Sequence, residues 1–255
     1  MKFLTAAHTD VGLKKKTNQD SALIMQAQTD AGPVLLAALC DGMGGLAKGE
    51  VASAAMVNSL ADWFRNEFPA LLAEGFTAQK LSDDWNRLVQ ATARRITDYG
   101  ANIHVDMGTT AAVFLVVKDD YYIMNVGDSR VYAVTDQLYQ LTKDQTYVQR
   151  EIDLGHMTPA QAAVDPQRSV LLQCIGASET IVPDFFSGKL GPQQMYLLCC
   201  DGFRHMVQPQ EIYQAVNPRA VQTQNAMQKA LVNLTELNKS RREEDNITAI
   251  LIRTS

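Results

Sequence analysis

The sequence predicts an α+β fold in which antiparallel β-sheets are covered by helices. Short apolar runs of strand length follow one another between residues 109 and 141 with breaks of only a few residues, which favours hairpins over crossovers. Longer segments with apolar residues at helical spacing occur in pairs. Strands and helices are grouped along the chain instead of alternating, which is typical of α+β folds.

The first third of the chain predicts three strands and two helices. Lys2–Ala7 alternates weakly, and Asn18–Gln28 is a second weak strand. Val34–Cys40 is almost entirely apolar and is bounded by turn residues, so we expect a buried strand. Val51–Phe68 and Leu81–Tyr99 each carry an apolar helical face, and we expect them to pack as an antiparallel pair.

The middle of the chain predicts four hairpin strands and then a less regular segment. The strands are expected at Thr109–Val117, Tyr121–Val126, Val131–Thr135 and Leu138–Leu141. Within residues 142–176, Thr158 followed by Pro159 and Gln161 is typical of a helix start, because the threonine can cap the helix and proline suits its first position.

The last third predicts strands at Ile181–Ser187 and Met195–Cys200 and helices at Pro209–Val216 and Pro218–Lys239. Asn217 is the expected N-cap of the second helix, with Pro218 at its first position. A final strand is expected at Ile247–Ile252.

Composition and charge exclude several classes of protein. The chain has 255 residues, 46% of them hydrophobic, and a net charge of −5, which gives no reason to expect nucleic-acid binding. No apolar run approaches the roughly 18 residues of a membrane span, and the N-terminal stretch is too polar for a signal sequence. The four cysteines show no metal-ligand spacing, so we expect reduced packing residues in a cytoplasmic protein.

Aspartates stand at the ends of five predicted strands. Asp41, Asp128 and Asp201 follow apolar strands, whereas Asp20 and Asp245 precede them. If these strand ends converge, the carboxylates repel one another unless a cation neutralises them. Oxygen ligands without a matching Cys/His set favour Mg²⁺ or Mn²⁺. The sequence therefore predicts a divalent metal site.

Six motifs in order resemble the metal-dependent Ser/Thr protein phosphatases of type 2C, and the bacterial stand-alone members are the most similar. They are TNQD at 17–20, DGMGG at 41–45, MGTT at 107–110, VGDSR at 126–130, LLCCDG at 197–202 and EDNIT at 244–248. The resemblance implies one catalytic domain over residues 1–255. It also implies a four-layer α/β/β/α sandwich of two antiparallel sheets flanked by helix pairs.

The resemblance implies hydrolysis of phosphoserine and phosphothreonine by a water activated between two Mn²⁺ or Mg²⁺ ions. Asp41 is expected to bridge the ions, and Asp201 and Asp245 to hold the first of them. These three are the expected catalytic residues. Asp20 and the backbone carbonyl of Gly42 are expected to serve the second ion, partly through water.

Further assignments follow the same resemblance. Asp128 is expected to bind a weaker third ion together with Asp201. Lys15 stands where the family usually has the arginine that binds substrate phosphate, although Lys14 or Lys16 could share that role.

The chain also departs from the family at other positions. Gln19 replaces a glutamate of the animal members, and Met43 replaces a histidine proposed as general acid, so no acid is named. Gln145 follows Asp144 where the family often has Asp-His, a departure without an evident consequence. Asn246 is expected to orient Asp245 or its loop.

The expected partners are phosphorylated proteins, the targets of a Ser/Thr kinase, acted on by a monomer. Two other functions are open. A non-catalytic relative that binds phosphoprotein should have lost at least one metal ligand, but Asp20, Asp41, Asp201 and Asp245 are all present. A nucleotide-binding enzyme could use the GMGG stretch at 42–45 as a phosphate cradle, but this chain lacks the P-loop lysine.

Overall fold

The computed structural model describes residues 2–43, 48–191 and 194–254. The strands in these ranges are β1 Phe3–Asp10, β2 Asp20–Thr29, β3 Gly32–Met43, β4 Gly108–Thr109, β5 Ala111–Val117, β6 Asp120–Val126, β7 Arg130–Val134, β8 Leu138–Gln140, β9 Asp184–Lys189, β10 Met195–Cys199 and β11 Ile247–Thr254. The helices are α1 Gly49–Asn66, α2 Phe68–Ala73, α3 Ala78–Ile103, α4 Tyr147–Asp153, α5 Pro159–Ala162, α6 Pro209–Val216 and α7 Gln224–Ser240.

The strands form two antiparallel sheets, as the hairpin spacing predicts. The first sheet has the order β1-β11-β10-β7-β8, so the first and last strands of the chain are neighbours. The second has the order β2-β3-β5-β6-β9, and β4 extends it by pairing with the end of β3. The α+β class is therefore confirmed.

The alternation of side chains along β3 shows how the layers stack. Leu35, Ala37 and Leu39 join the apolar core shared with the other sheet, whose members include Leu197 and Ile250. The intervening side chains of β3 join a second core beneath α1, α2 and α3. Because neighbouring residues of a strand point to opposite faces, one strand serves both cores. Since α6 and α7 cover the outer face of the first sheet, the molecule is the predicted four-layer α/β/β/α sandwich.

The first helix pair is held together by aromatic and polar contacts. Trp63 of α1 and Trp85 of α3 lie with ring centroids 5.7 Å apart, edge to face. The Thr92 hydroxyl of α3 donates to the Ser59 hydroxyl of α1 at 2.9 Å. Of the helices in the described ranges, none combines the length and apolarity needed to cross a membrane.

The capping predictions have two different outcomes. The helix start at Thr158 is confirmed: it caps α5 with a complete capping box that includes Gln161. The prediction that a helix begins at Pro218 is wrong, because α7 begins six residues later with Thr223 as its N-cap. The Asn217 side chain instead accepts two backbone N–H bonds in a local turn, an alternative that short polar side chains offer to helix formation.

Two strand predictions also differ from the structure. The predicted strand 109–117 is broken at Thr110, whose backbone and hydroxyl both bond to Asp41. The strand predicted from Ile181 begins only at Asp184, where pairing with β6 starts.

Candidate metal centre

The register of the sheets places the five aspartates at one end of the sandwich. Asp20 at the start of β2 is the direct cross-strand partner of Asp41 near the end of β3. In the other sheet, Asp201 follows β10 and Asp245 precedes its antiparallel neighbour β11. Asp128 precedes β7, the neighbour of β10 on the other side. In antiparallel pairs the end of one strand lies beside the start of the next, so residues far apart in sequence meet here.

The carboxylates of this cluster repel one another. Burial, and then repulsion from the other four aspartates, raises the pKa of Asp41 well above its ordinary value. Burial raises the pKa of Asp20 to about 6; the Thr248 and Cys200 side chains oppose this rise, and the charges of Asp201 and Asp245 add to it. Such mutual repulsion is the arrangement that a bound cation neutralises.

Asp20 gives the most direct evidence for a ligand. Both of its carboxylate oxygens are buried, and neither has a hydrogen-bond partner among the described residues. A buried carboxylate without a partner is costly, so this side chain is suited to hold a cation. The donor set therefore fits a hard divalent ion, with oxygen atoms from adjacent strands facing the same space.

The Cys200 thiol lies against the same pair of acids. Its sulfur and one oxygen each of Asp20 and Asp41 lie within 4.8 Å of one another. Burial, and then repulsion from these carboxylates, raises the thiol pKa well above its ordinary value. Its S–H donates to the Asn246 carbonyl at 3.4 Å, while the sulfur accepts the Thr248 N–H at 3.1 Å. Cys200 is thus a neutral packing residue, and the oxygens are the candidate ligands.

Residues of the MGTT motif fix the backbone of Asp41. The Asp41 N–H donates to the Thr110 hydroxyl at 2.9 Å, and the Thr110 N–H donates to the Asp41 carbonyl at 2.9 Å. The Thr109 hydroxyl donates to the same carbonyl at 3.0 Å. The Thr110 hydroxyl also bonds to that of Ser129 at 2.9 Å, which links Asp41 to the segment that carries Asp128.

Gly42 is required by close backbone packing. A Cβ atom at this position would lie 2.2 Å from the Gly49 carbonyl oxygen and 2.4 Å from that of Gln19. The Gly42 N–H donates to the same Gln19 carbonyl at 3.1 Å. The lack of a side chain therefore lets three backbone segments meet beside Asp41.

Asn246 ties the loop before Asp20 to the start of β11. Its side-chain oxygen accepts the Gln19 N–H at 2.9 Å. Its amide nitrogen donates to the carbonyls of Val11 and Thr17 at 2.9 and 3.3 Å. The amide thus fixes the position of Asp20 relative to Asp245 through the loop, one of the two roles expected from the sequence.

For the phosphatase reaction expected from the sequence, Asn246→Ala should lower kcat/KM by about 10–100-fold, the usual effect of losing a group that orients metal ligands. The variant should also bind Mn²⁺ more weakly in calorimetric titrations, because three loop contacts are lost. Asn217→Ala is the matched control, since it too removes an asparagine that accepts backbone N–H bonds in a turn but lies after α6. Unchanged Mn²⁺ affinity and turnover in Asn246→Ala would contradict the role of this side chain.

Lys15 lies at the acid cluster, whereas Lys14 does not. The Lys15 ammonium is 2.9 Å from an Asp245 carboxylate oxygen, and the Lys14 ammonium is 2.8 Å from Glu244 in an exposed pair. Although burial lowers the pKa of Lys15, the ion pair with Asp245 raises it above its ordinary value. The structure thus distinguishes Lys15 from Lys14, one of the two neighbouring lysines that the sequence analysis allowed to share its role.

Gln145 supports the Asp128 segment. Its backbone N–H donates to the Gly127 carbonyl at 3.0 Å, and its side-chain oxygen accepts the Gly127 N–H at 2.8 Å. The side-chain amide donates to Asp184 at 2.9 Å. Gly127 adopts φ +97°, a conformation that favours glycine. The departure from Asp-His at 144–145 therefore has a structural role in this chain.

The sequence interpretation missed two side chains at this end of the sandwich, Arg204 and His205. Arg204 donates to the Asp128 carbonyl at 3.0 Å. His205, given no role from the sequence, lies 3.5 Å from Asp201 and 3.6 Å from Glu243, and these acids raise its pKa above its ordinary value. The N–H groups of Arg204 and His205 both bond to the Asp201 carbonyl in a tight turn. Their spacing of three and four residues from Asp201 is the signal that could have found them.

A cavity of about 520 Å³ opens beside Asp128. Arg130, Arg204 and Asp144 contribute charged groups to it, and α4 and α5 contribute apolar ones, including Val148 and Ala162. The segment 142–176, which the family resemblance places in a flap beside the active site, forms one wall of a cleft next to the acid cluster.

Comparisons with known proteins agree with this geometry. The family model described as Protein phosphatase 2C matches residues 8–238. The chain is 31% identical over 248 residues to the serine/threonine phosphatase stp of Listeria innocua, a match that covers 96% of this chain and 93% of the relative.

Two solved structures are also similar. The S. agalactiae serine/threonine phosphatase superposes with a TM-score of 0.86 at 27% identity, covering 100% of both chains. The catalytic domain of the serine/threonine phosphatase PstP, in complex with two manganese ions, gives 0.79 at 29% identity and covers 98% of this chain and 97% of that one. On the family match and the end-to-end similarity to the Listeria enzyme, this chain belongs to the protein phosphatase 2C family.

Proposed function

We propose that this chain removes phosphate from phosphoserine and phosphothreonine in proteins with two divalent ions held at the acid cluster. Family membership makes the chain a metal-dependent protein Ser/Thr phosphatase, and the two-ion arrangement is our proposal. One observation carries it: the unpartnered, buried carboxylate of Asp20 lies directly across the sheet from Asp41. The PstP complex, which contains two manganese ions, supports the same number here.

Each proposed ligand has a distinct place. Asp41 would bridge the ions, since all four other aspartates act on its charge. Asp201 and Asp245 would hold the first ion from the second sheet. Asp20 and the Gly42 carbonyl would serve the other ion. When bound, Mn²⁺ or Mg²⁺ would polarise phosphoryl oxygens and lower the pKa of a water between them.

The surrounding residues position these ligands and the substrate. Thr110 and Asn246 hold the backbones that carry Asp41 and Asp20. Lys15 would attract the substrate phosphate, because its ammonium lies at the cluster. Met43 has no proton to donate, so the leaving group would take its proton from water or from the ligands of the bound ions.

Lys15→Ala is expected to raise KM for a phosphothreonine peptide about tenfold, with kcat little changed. The contact is made equally in the ground and transition states, and bonds to charged groups contribute about 1.5–3 kcal/mol. Lys15→Arg should retain activity, since a guanidinium also binds phosphate. Steady-state kinetics on the peptide measure both constants.

Lys14→Ala is the matched control, since Lys14 pairs with Glu244 and is exposed. If Lys15→Ala stays within about twofold of wild-type kcat/KM, less than roughly 0.5 kcal/mol, the phosphate-binding role lies elsewhere. If Lys14→Ala or Lys16→Ala has the larger effect, that lysine has the role.

A binding-only relative of the same fold is the second candidate, and phosphate release distinguishes the two. Incubation with a phosphothreonine peptide and Mn²⁺ should release inorganic phosphate in amounts far above the enzyme concentration. Peptide binding without release would support the binding-only function. For the nucleotide-binding alternative, Gly44 and Gly45 lie outside the described residues, and a cluster of carboxylates is a poor phosphate cradle.

The remaining assignments also stay predictions. We propose that residues 1–255 form one catalytic domain, that the enzyme acts as a monomer in the cytoplasm, and that its substrates are products of a Ser/Thr kinase. A phosphoproteome of a strain lacking this protein would identify those substrates.

A further inference from the structure

The environment of Asp128 differs from that of the other four aspartates. The Arg204 guanidinium donates to the Asp128 carbonyl at 3.0 Å and lies 3.4 Å from the Asp128 carboxylate. The side chains of Arg204 and Asp128 are only 14% and 10% exposed. The ion pair is therefore buried, where screening by solvent is weak.

A second ion pair completes this corner. Arg130 binds both carboxylate oxygens of Asp144, at 2.8 and 2.6 Å, and the same carboxylate lies 3.6 Å from Arg204. Two carboxylates thus face two guanidinium groups, which remain charged at any physiological pH. Burial and the charge of Asp201 raise the pKa of Asp128 to about 7, and they outweigh Arg204, which lowers it.

The acids of the proposed two-ion site have different surroundings. There, Lys15 pairs with Asp245, His205 lies beside Asp201, and the two carboxylate oxygens of Asp20 have no hydrogen-bond partner among the described residues. The contact with a buried guanidinium group distinguishes Asp128 from these acids. Divalent cations are needed at Asp20 and Asp41, whereas a third one at Asp128 would meet a guanidinium already in contact.

We propose that Arg204 takes the place of a third metal ion at Asp128, so that this enzyme works with two divalent ions and one arginine. The inference rests on the proposed two-ion site and is an alternative to the sequence expectation that Asp128 binds a third ion. A cation bound to the Asp128 oxygen that Arg204 contacts would have to displace the guanidinium group. Displacement would leave the guanidinium buried without Asp128 and remove a donor from the Asp128 carbonyl, which opposes binding.

The test counts and locates Mn²⁺ in the wild type and in Arg204→Met, which keeps an apolar stem but removes the charge. Equilibrium dialysis with elemental analysis gives the stoichiometry, and anomalous scattering from crystals soaked at about 10 mM Mn²⁺ gives the positions. We expect two ions per wild-type chain with none at Asp128. Arg204→Met should gain an ion at Asp128.

Two further variants define the outcome. Arg204→Lys, which keeps the positive charge, should bind no third ion. Arg241→Met removes an exposed arginine paired with Glu211 and should leave the stoichiometry unchanged. If Arg204→Met does not fold, Asp128→Asn should leave the wild-type stoichiometry of two unchanged.

The readout at Asp128 is independent of the readout at Asp20 and Asp41. The role of Arg204 would be overturned by any of three results. The wild type could hold an ion at Asp128, Arg204→Met could gain no ion there, or Arg204→Lys could bind a third ion. Absence of ions at Asp20 and Asp41 would instead overturn the proposed two-ion function.

Discussion

Asp41→Asn is expected to lower kcat/KM on a phosphothreonine peptide by at least about a thousandfold, beyond the 10–100-fold typical of groups that only orient ligands. Asp41 is the carboxylate on which all four other aspartates act. Asparagine keeps the shape of the side chain but removes the charge that a bridging ligand needs. Because both ions would lose a ligand, excess Mn²⁺ should not restore the activity.

Asp30→Asn is the matched control for this substitution. Asp30 is exposed in the turn that joins β2 and β3, at the opposite end of the hairpin that carries Asp20 and Asp41. The control should retain wild-type activity and Mn²⁺ affinity. Recovery of Asp41→Asn activity at high Mn²⁺, or wild-type crystals with no ion beside Asp41, would rule out the bridging assignment.

Removal of divalent ions is expected to abolish phosphate release and to lower Tm. At about 100 times Kd, a ligand that binds only the folded state adds roughly 2.7 kcal/mol, which corresponds to about 5–10 °C for a chain of this size. Activity after exhaustive chelation is measured with p-nitrophenyl phosphate and with the phosphopeptide. Full activity without metal would rule out the proposed mechanism.

The effect of metal on Tm should depend on pH. Because the folded state raises the pKa of Asp20 to about 6 from an ordinary value of 3.8, the folded metal-free protein binds more protons than the unfolded chain between about pH 4 and 6. Its free energy of unfolding therefore falls as pH rises through this window. At neutral pH a bound metal ion offsets the repulsion between the deprotonated carboxylates. At acid pH the ion must first displace the proton from Asp20.

Thermal melts with Mn²⁺ and with chelator test the direction of this pH dependence. The shift in Tm at pH 7.5 should exceed that at pH 5.0 by at least about twofold, as expected when protons compete for the ligands. Asp20→Asn should reduce the pH dependence, because it removes a group that titrates in this window. An equal or larger shift at pH 5.0 would contradict the pKa argument.

The sequence by itself predicted the residues of the candidate site and most of the fold. Apolar runs ending in aspartate identified β3, β6 and β10, because a buried strand needs a continuous apolar face and its end can carry a charge. The local capping pattern correctly predicted Thr158 as the N-cap of a helix. It failed at Pro218, because Asn217 has two local uses for the same side chain and only the surrounding packing selects one.

Only the tertiary structure decided which partner each charge has. Lys14 and Lys15 are neighbours in sequence, yet one pairs with Glu244 and the other with Asp245. Asp128 and Asp20 both stand at strand ends, yet one faces Arg204 and the other has no partner among the described residues. Electrostatic energy depends on distance and burial across the fold, which spacing along the chain does not encode.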